Sequence, residues 1–526
     1  MTDLLENHLG GRWQTGMGAG TPLFDPVLGT ELVRISSAGL DLPGGFEYAR
    51  QRGGAALRAL TYAERAALLA RTVETLQANR DAYFDIALQN SGTTRNDSAI
   101  DIDGAIFTLG QYARWGAKLG DTRWLADGAA VRLGKDGSFQ TGHVLAPQRG
   151  LVLCINAFNF PAWGLWEKAA PALLSGVPVV VKPASATAWL TQRMVADVIA
   201  AGVLPDGALS IVCGSSEGLL DALQPFDLLS FTGSADTARA IREHHAVLRH
   251  GVRMNSETDS LNSALLAPDA APGSDAFASM VREVVREMTI KSGQKCTAIR
   301  RVLVPQPIAR EAADAIASAL AAVKVGNPRD ESVRMGSLAS RAQANAVHEG
   351  LATLGREAKQ VFAGDANALV DADASVGAFA TPHLFAVDDA DASTLVHETE
   401  VFGPVATVVP YRDAEHAFTL ARRGAGSLVA SVFTDDEDFA ERAALEIGHA
   451  HGRVHVVTPA VAKTHTGHGN VMPMSLHGGP GRAGGGEELG GLRALAFYHQ
   501  RSAVQGPQSL VESILGKAAP FRPDAG

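Results

Sequence analysis

The chain has 526 residues, too many for one simple core, so two or three domains are expected. Apolar residues make up 46% and charged residues 19%, which excludes a disordered chain and fits a packed globule. The net charge of −10 has no basic block to offset it, which argues against nucleic acid as the main partner. The three cysteines, Cys154, Cys213 and Cys296, form no CxxC, and no histidine pair stands at ligand spacing. That usage fits a reducing cytosol and gives no sign of a zinc site. The opening MTDLLENHLG is acidic and lacks the basic-then-apolar order of a secretion signal. With no apolar run approaching membrane length, a cytoplasmic protein independent of membranes is expected.

In chain order, residues 1–60 read as turns and short elements. Helical periodicity follows from Thr61, with Leu68, Leu69, Val73 and Leu76 on one face, and again over Asp97 to Leu119. Residues 136–149 read as a polar, hairpin-like strand that Pro147 assigns to an edge or an exit from the domain. The apolar runs Leu151–Ile155, Val177–Val181, Ala208–Val212 and Leu228–Phe231, separated by helical spacers, predict a parallel sheet covered on both faces. Ligands bind at the carboxyl ends of such strands. Here those loops are 156–161, 182–185, 214–217 and 232–234, and none carries GxGxxG. A second α/β segment runs from about 264 to 475. A glycine cluster at 478–491 marks a mobile or backbone-crowded loop, and Ala496–Val504 reads as one more strand.

Within the second segment, an amphipathic helix bearing Phe277, Met280, Val281, Val284, Val285 and Met288 runs into TIKSGQKCT (289–297). Gly293 is expected to break it, leaving Cys296 on a turn before the strand Arg301–Pro305. A helix end or a cation such as the neighbouring Lys295 can lower a thiol's pKa there. The bland alternative is a small buried hydrophobe.

INAFNFP (155–161), VVVKPA (179–184), FTGS (231–234), SGQKC (292–296) and EVFGPV (400–405) together resemble the successive signatures of the aldehyde dehydrogenase superfamily, in its order and spacing. The resemblance implies an α/β aldehyde-dehydrogenase fold. A Rossmann-like dinucleotide-binding domain would span 1–135 and 150–263, and an α/β catalytic domain 264–480. A small bridging β element would form from 136–149 and 494–507 and pair subunits into a homodimer. It also implies roles. Cys296 would be the nucleophile and Asn159 the oxyanion donor, together with the Cys296 backbone N–H. Glu257 would be the base that activates water, its pKa raised by burial, and Lys168 would settle charge nearby. Lys182, Ser185, Gly233, Ser234, Glu400 and Phe402 would hold the cofactor.

Each residue has a plainer alternative: Asn159 a turn residue, Glu257 a surface acid, Lys168 a helix-surface lysine, Phe402 a core aromatic. The family's glycines after the base are replaced by Thr258-Asp259-Ser260, which makes Asp259 the fallback carboxylate. Ser185 stands where strict NAD users of the family carry glutamate, which implies NADP, with NAD weaker. Residues 253–269 and 477–491 resemble members that oxidise CoA-linked semialdehydes in aromatic degradation. The length leaves no room for the hydratase domain that a related group fuses to the dehydrogenase. Glu488 would act at most from behind the site. The alternatives are a succinic or broad-specificity semialdehyde dehydrogenase, a CoA-acylating enzyme, and an idle scaffold.

Overall fold

Residues 3–522 are described by the computed structural model, and two seven-stranded sheets dominate them. The first sheet runs, edge to edge, through Arg253–Glu257, Leu228–Thr232, Val152–Ile155, Val179–Lys182, Leu209–Ile211, Asn7–Leu9 and Arg12–Gln14. Its first five strands are parallel and the last two antiparallel. The strands are buried on both faces because helices cover each side, so they read as unbroken apolar runs. Val152–Ile155 lies between the strand that follows it directly and Leu228–Thr232, so the chain order reverses there. A crevice at such a reversal is where open α/β sheets take ligands.

The second sheet runs through Lys359–Ala363, His383–Ala386, Val405–Tyr411, Ile299–Pro305, Asn262–Leu266, Ser427–Phe433 and His451–Val457. Only the first strand is antiparallel. Four residues separate Glu257, the last residue of the outer strand in the first sheet, from Asn262 in the second. The segment carrying Glu257 is therefore fixed by both sheets.

The helices start where their caps place them. Thr61 and Glu64 form a reciprocal capping box at the head of Tyr62–Ala78. The helix Arg95–Leu119 begins two residues before the expected Asp97, on the Thr94 cap. Inside it, buried Asp101 accepts from the backbone N–H of Trp163 at 2.7 Å, fixing the start of the helix Trp163–Leu174. Arg50 and Asp227, both buried, join the N-terminal helical region to the first sheet through two hydrogen bonds.

Phe139–Pro147 pairs antiparallel with His499–Pro507 over nine residues, from His499 opposite Pro147 to Pro507 opposite Phe139. Two expectations are corrected here. Phe139–Pro147 is an inner strand, flanked on its other side by Leu125–Ala126, and the exposed edge is His499–Pro507. Residues Gly491–Tyr498 form a 3-10 run, so the last strand begins three residues later than the apolar pattern of 496–504 suggests. No helix among the described residues is long and apolar enough to cross a membrane.

Candidate active site

The helix Asp275–Thr289 points at the crevice, its start capped by Ser274. It ends before Gly293. Lys291, Ser292 and Gly293 occupy the left-handed region in succession, with φ of 48°, 55° and 69°. The first two are not glycine, and a left-handed L residue costs about 1–2 kcal/mol. Tertiary contacts hold the turn. Ser292 Oγ donates to the carbonyls of Gly336 and Ser337 at 2.9 and 3.1 Å. Arg300 donates to the carbonyls of Gly293 and Gly403. The Lys291 ammonium sits 4.5 Å over the Phe160 ring. A Cβ on Gly293 would stand 2.2 Å from the Gly403 carbonyl oxygen, so this position admits glycine alone.

Cys296, half-buried, emerges from that turn between two cavities. One, of about 440 Å³, is lined by Asn156, Phe158, Asn159, Gly233, Ser234, Glu257, Asp259, Glu400, Phe402 and Arg482 among others. The other, of about 210 Å³, is lined by Phe107, Phe160, Trp163, Asn470, Met472 and His477 among others. The thiol is thus the shared wall of two chambers.

Asn159 ends a loop pinned by Thr187 and Thr191 hydroxyls, which donate to the carbonyls of Phe158 and Pro161. Its side-chain nitrogen donates to the Gln294 carbonyl at 3.1 Å, which aims the amide at the turn that carries Cys296. Glu257 closes its strand, buried, with a carboxylate oxygen within 4.8 Å of Cys296 Sγ. Asp259, the fallback carboxylate, instead accepts from the Ala235 N–H at 3.0 Å and faces Arg482 at 3.6 Å. The residues that replace the family glycines are wired in place. Thr258 donates to the Arg482 carbonyl, and Ser260 N–H donates to Glu400 at 3.0 Å.

Two electrostatic expectations are corrected. Burial does push the Glu257 carboxyl upward, but the buried His477 ring, with Nε2 2.8 Å from Oε2, outweighs it together with Lys168. Glu257 is held below the usual carboxylate range and stands ionised. The thiol of Cys296 is raised rather than lowered, first by burial and then by the Glu257 carboxylate. Lys295 does little against this, because its buried ammonium turns away to Glu287 at 2.8 and 2.9 Å.

Lys168 is fully buried rather than on a helix surface. Its ammonium bonds Glu167 at 2.5 Å and Glu488 at 3.1 Å. Burial opposes its charge, and the carboxylates of Glu167, Glu488 and Glu257 overcome that and push its pKa up. Glu488 also accepts from Ser230 and Asn255, so it braces Lys168 from behind. On the larger cavity, Ser234 caps the helix Ala235–Arg242, and Gly233 donates to the Glu257 carbonyl. Phe402 is half-buried, edge-on to Phe158 at 5.7 Å between ring centroids, and so belongs to the cavity rather than a core. Burial first of all raises Glu400 to about 7. Lys182 and Ser185 flank Ala184, which lines this cavity, but neither lines it itself.

His477 escaped the sequence reading, which took its segment for a glycine-rich loop. The strand pair Leu476–Gly478 and Glu487–Leu489 places it opposite Glu488. A lone histidine ahead of two glycines, ten residues from a Glu-Glu pair, was the available signal.

A sequence model described as the aldehyde dehydrogenase family matches residues 13–504. A 3,4-dehydroadipyl-CoA semialdehyde dehydrogenase of Aromatoleum evansii is 57% identical over 477 residues, covering 90% of this chain and 93% of that protein. A betaine aldehyde dehydrogenase of Cereibacter sphaeroides is 29% identical over 457 residues, 85% of this chain and 88% of that one. Among solved structures, a lactaldehyde dehydrogenase from Escherichia coli superposes with a TM-score of 0.84 at 21% identity, over 96% of this chain and all of that one. With a thiol, an ionised carboxylate and an aimed amide converging where the sheet order reverses, the chain belongs to the aldehyde dehydrogenase family.

Proposed function

We propose that this aldehyde dehydrogenase oxidises a CoA-linked semialdehyde to the acid with NADP, through a thioester on Cys296 released by water. The observation that carries the reading is the position of Cys296, open to both cavities with Glu257 beside it. The 57% likeness to the Aromatoleum evansii enzyme supports the substrate class. The larger cavity suits a nicotinamide dinucleotide. The buried Glu400 Oε1 has no hydrogen-bond partner among the described residues and is placed to accept from ribose hydroxyls. Phe402 and Phe158 offer an apolar wall to the ring, and Gly233 and Ser234 a close backbone. When bound, the nicotinamide supplies the acceptor for hydride.

The residues of the chain divide the remaining work. Cys296 Sγ attacks the aldehyde carbon as its proton is released to solvent, which leaves Glu257 ionised for the later step. Asn159 Nδ2 and the Cys296 N–H donate to the oxygen on which charge develops. Lys168 offsets the negative charge that gathers around Glu257, Glu167 and Glu488. After the aldehyde hydrogen is lost as hydride, Glu257 draws a proton from the water that attacks the thioester. A water-activating carboxylate beside the thiol favours hydrolysis over transfer to free CoA.

Lys182 at the end of its strand and Ser185 opening Ser185–Thr187 support the choice of NADP, because a hydroxyl in place of a carboxylate removes charge repulsion from a 2′-phosphate. Measured kcat/KM values should favour NADP over NAD by about tenfold or more, the worth of one charge-assisted hydrogen bond, and Ser185→Glu should reverse the order. A clear advantage for NAD in the unaltered enzyme would refute the choice. The exposed edge strand His499–Pro507 supports a homodimer built by strand pairing.

A further inference from the structure

His477 lies where the mechanism above has no use for it. Its ring is buried, 1% exposed, and stands edge-on to Trp163 with 5.2 Å between centroids. Nε2 is 2.8 Å from Glu257 Oε2, and Nδ1 has no hydrogen-bond partner among the described residues. A ring nitrogen lies within 4.8 Å of both Cys296 Sγ and the Glu257 carboxylate. A ring nitrogen also comes within the same distance of carboxylate oxygens of Glu167 and Glu488. The groups that face it come from four elements. They are Glu257 on its strand, Cys296 on the nucleophile turn, Glu167 with Lys168 on the helix Trp163–Leu174, and Glu488 on the paired strand. A buried imidazole with one nitrogen on a carboxylate and the other unpartnered is placed to pass a proton rather than only to fill space.

We propose that the base of thioester hydrolysis is the pair Glu257–His477, in which the carboxylate draws the proton from water and His477 Nε2 carries it. This rests on the reading of Glu257 as the water-activating carboxylate. The water oxygen bonds to the thioester carbon as one O–H bond breaks, and that proton passes through Glu257 Oε2 to Nε2. Collapse of the tetrahedral adduct breaks the C–S bond and returns the electron pair to sulfur. The imidazolium then gives its proton to that thiolate. Thiol, neutral imidazole and ionised Glu257 are restored, and the acid leaves. Because the ring accepts a proton only when neutral, steady-state hydrolysis should rise with pH in the unaltered enzyme.

4-Nitrophenyl acetate tests the step alone, because an active ester acylates the thiol and only hydrolysis then limits turnover. His477→Gln and His477→Phe, the second retaining an aromatic ring against Trp163, should keep a burst of one 4-nitrophenolate per chain. Their steady state should fall about 10²-fold, and the pH inflection of that phase should vanish. Steady-state rate and pH profile unchanged in His477→Phe would overturn the proposal. So would loss of the burst in both variants, which would make His477 a builder of the site. Glu257→Gln is run in parallel. If it hydrolyses at the normal rate, the reading of Glu257 itself fails, whatever His477 does.

Discussion

Cys296 is kept protonated by its surroundings until something takes its proton. Burial is the larger cause and the ionised Glu257 the second. Both disfavour the thiolate, so alkylation by iodoacetamide should be slow at neutral pH and still rising at the ordinary thiol value of 9.0. Glu257→Gln removes the second cause, which should shift the profile to lower pH and speed alkylation at pH 8. A slower reaction in that variant would mean that Glu257 promotes the thiolate instead. That Cys296, Asn159 and Glu257 line one cavity was legible because a family motif surrounds each one. Their charge states were not. The ionised form of Glu257 depends on His477, 220 residues further on, and the idle charge of Lys295 depends on Glu287 from the preceding helix. Neither partner is near enough in sequence to announce itself.

The apolar strands were readable because a sheet covered on both faces demands unbroken hydrophobic runs. The same logic failed at the nucleophile turn. Gly293 was expected to break the helix, but the helix already ends at Thr289, since Lys291 and Ser292 are held left-handed by contacts to Gly336, Ser337, Asp101 and Phe160. No local preference of lysine or serine foretells that conformation. It stores strain four residues before Cys296, at Ser292, and five before it, at Lys291. Gly293→Ala should displace the turn from the Gly403 carbonyl and move Cys296 by a large fraction of an ångström. Such misplacement lowers kcat/KM by about 10²-fold. A variant with normal kcat/KM would show that the turn tolerates a Cβ there.

Across the whole molecule, the site exists because the two sheets are joined by four residues beyond Glu257, while the second sheet's leading helix delivers Cys296 to the same crevice. Two of the loops that line the crevice, 156–161 and 232–234, were legible as the carboxyl ends of parallel strands. Its second chamber was not, because residues from four distant stretches build it: Phe107, Trp163, Cys296 and the 469–477 segment. The outer strand His499–Pro507 leaves its backbone edge exposed beyond Phe139–Pro147. Sedimentation velocity at micromolar concentration should therefore find a particle of twice the chain mass, and a single monomeric species would contradict pairing through that edge.

The most direct test of the covalent route is mass spectrometry of Glu257→Gln quenched during turnover with NADP and an accepted aldehyde, followed by peptide mapping. The expected result is one acyl group per chain on the peptide containing Cys296, accumulating because release by water is slowed. An unmodified Cys296 in an enzyme still reducing cofactor, or an acyl group on Cys154 or Cys213 instead, would contradict it.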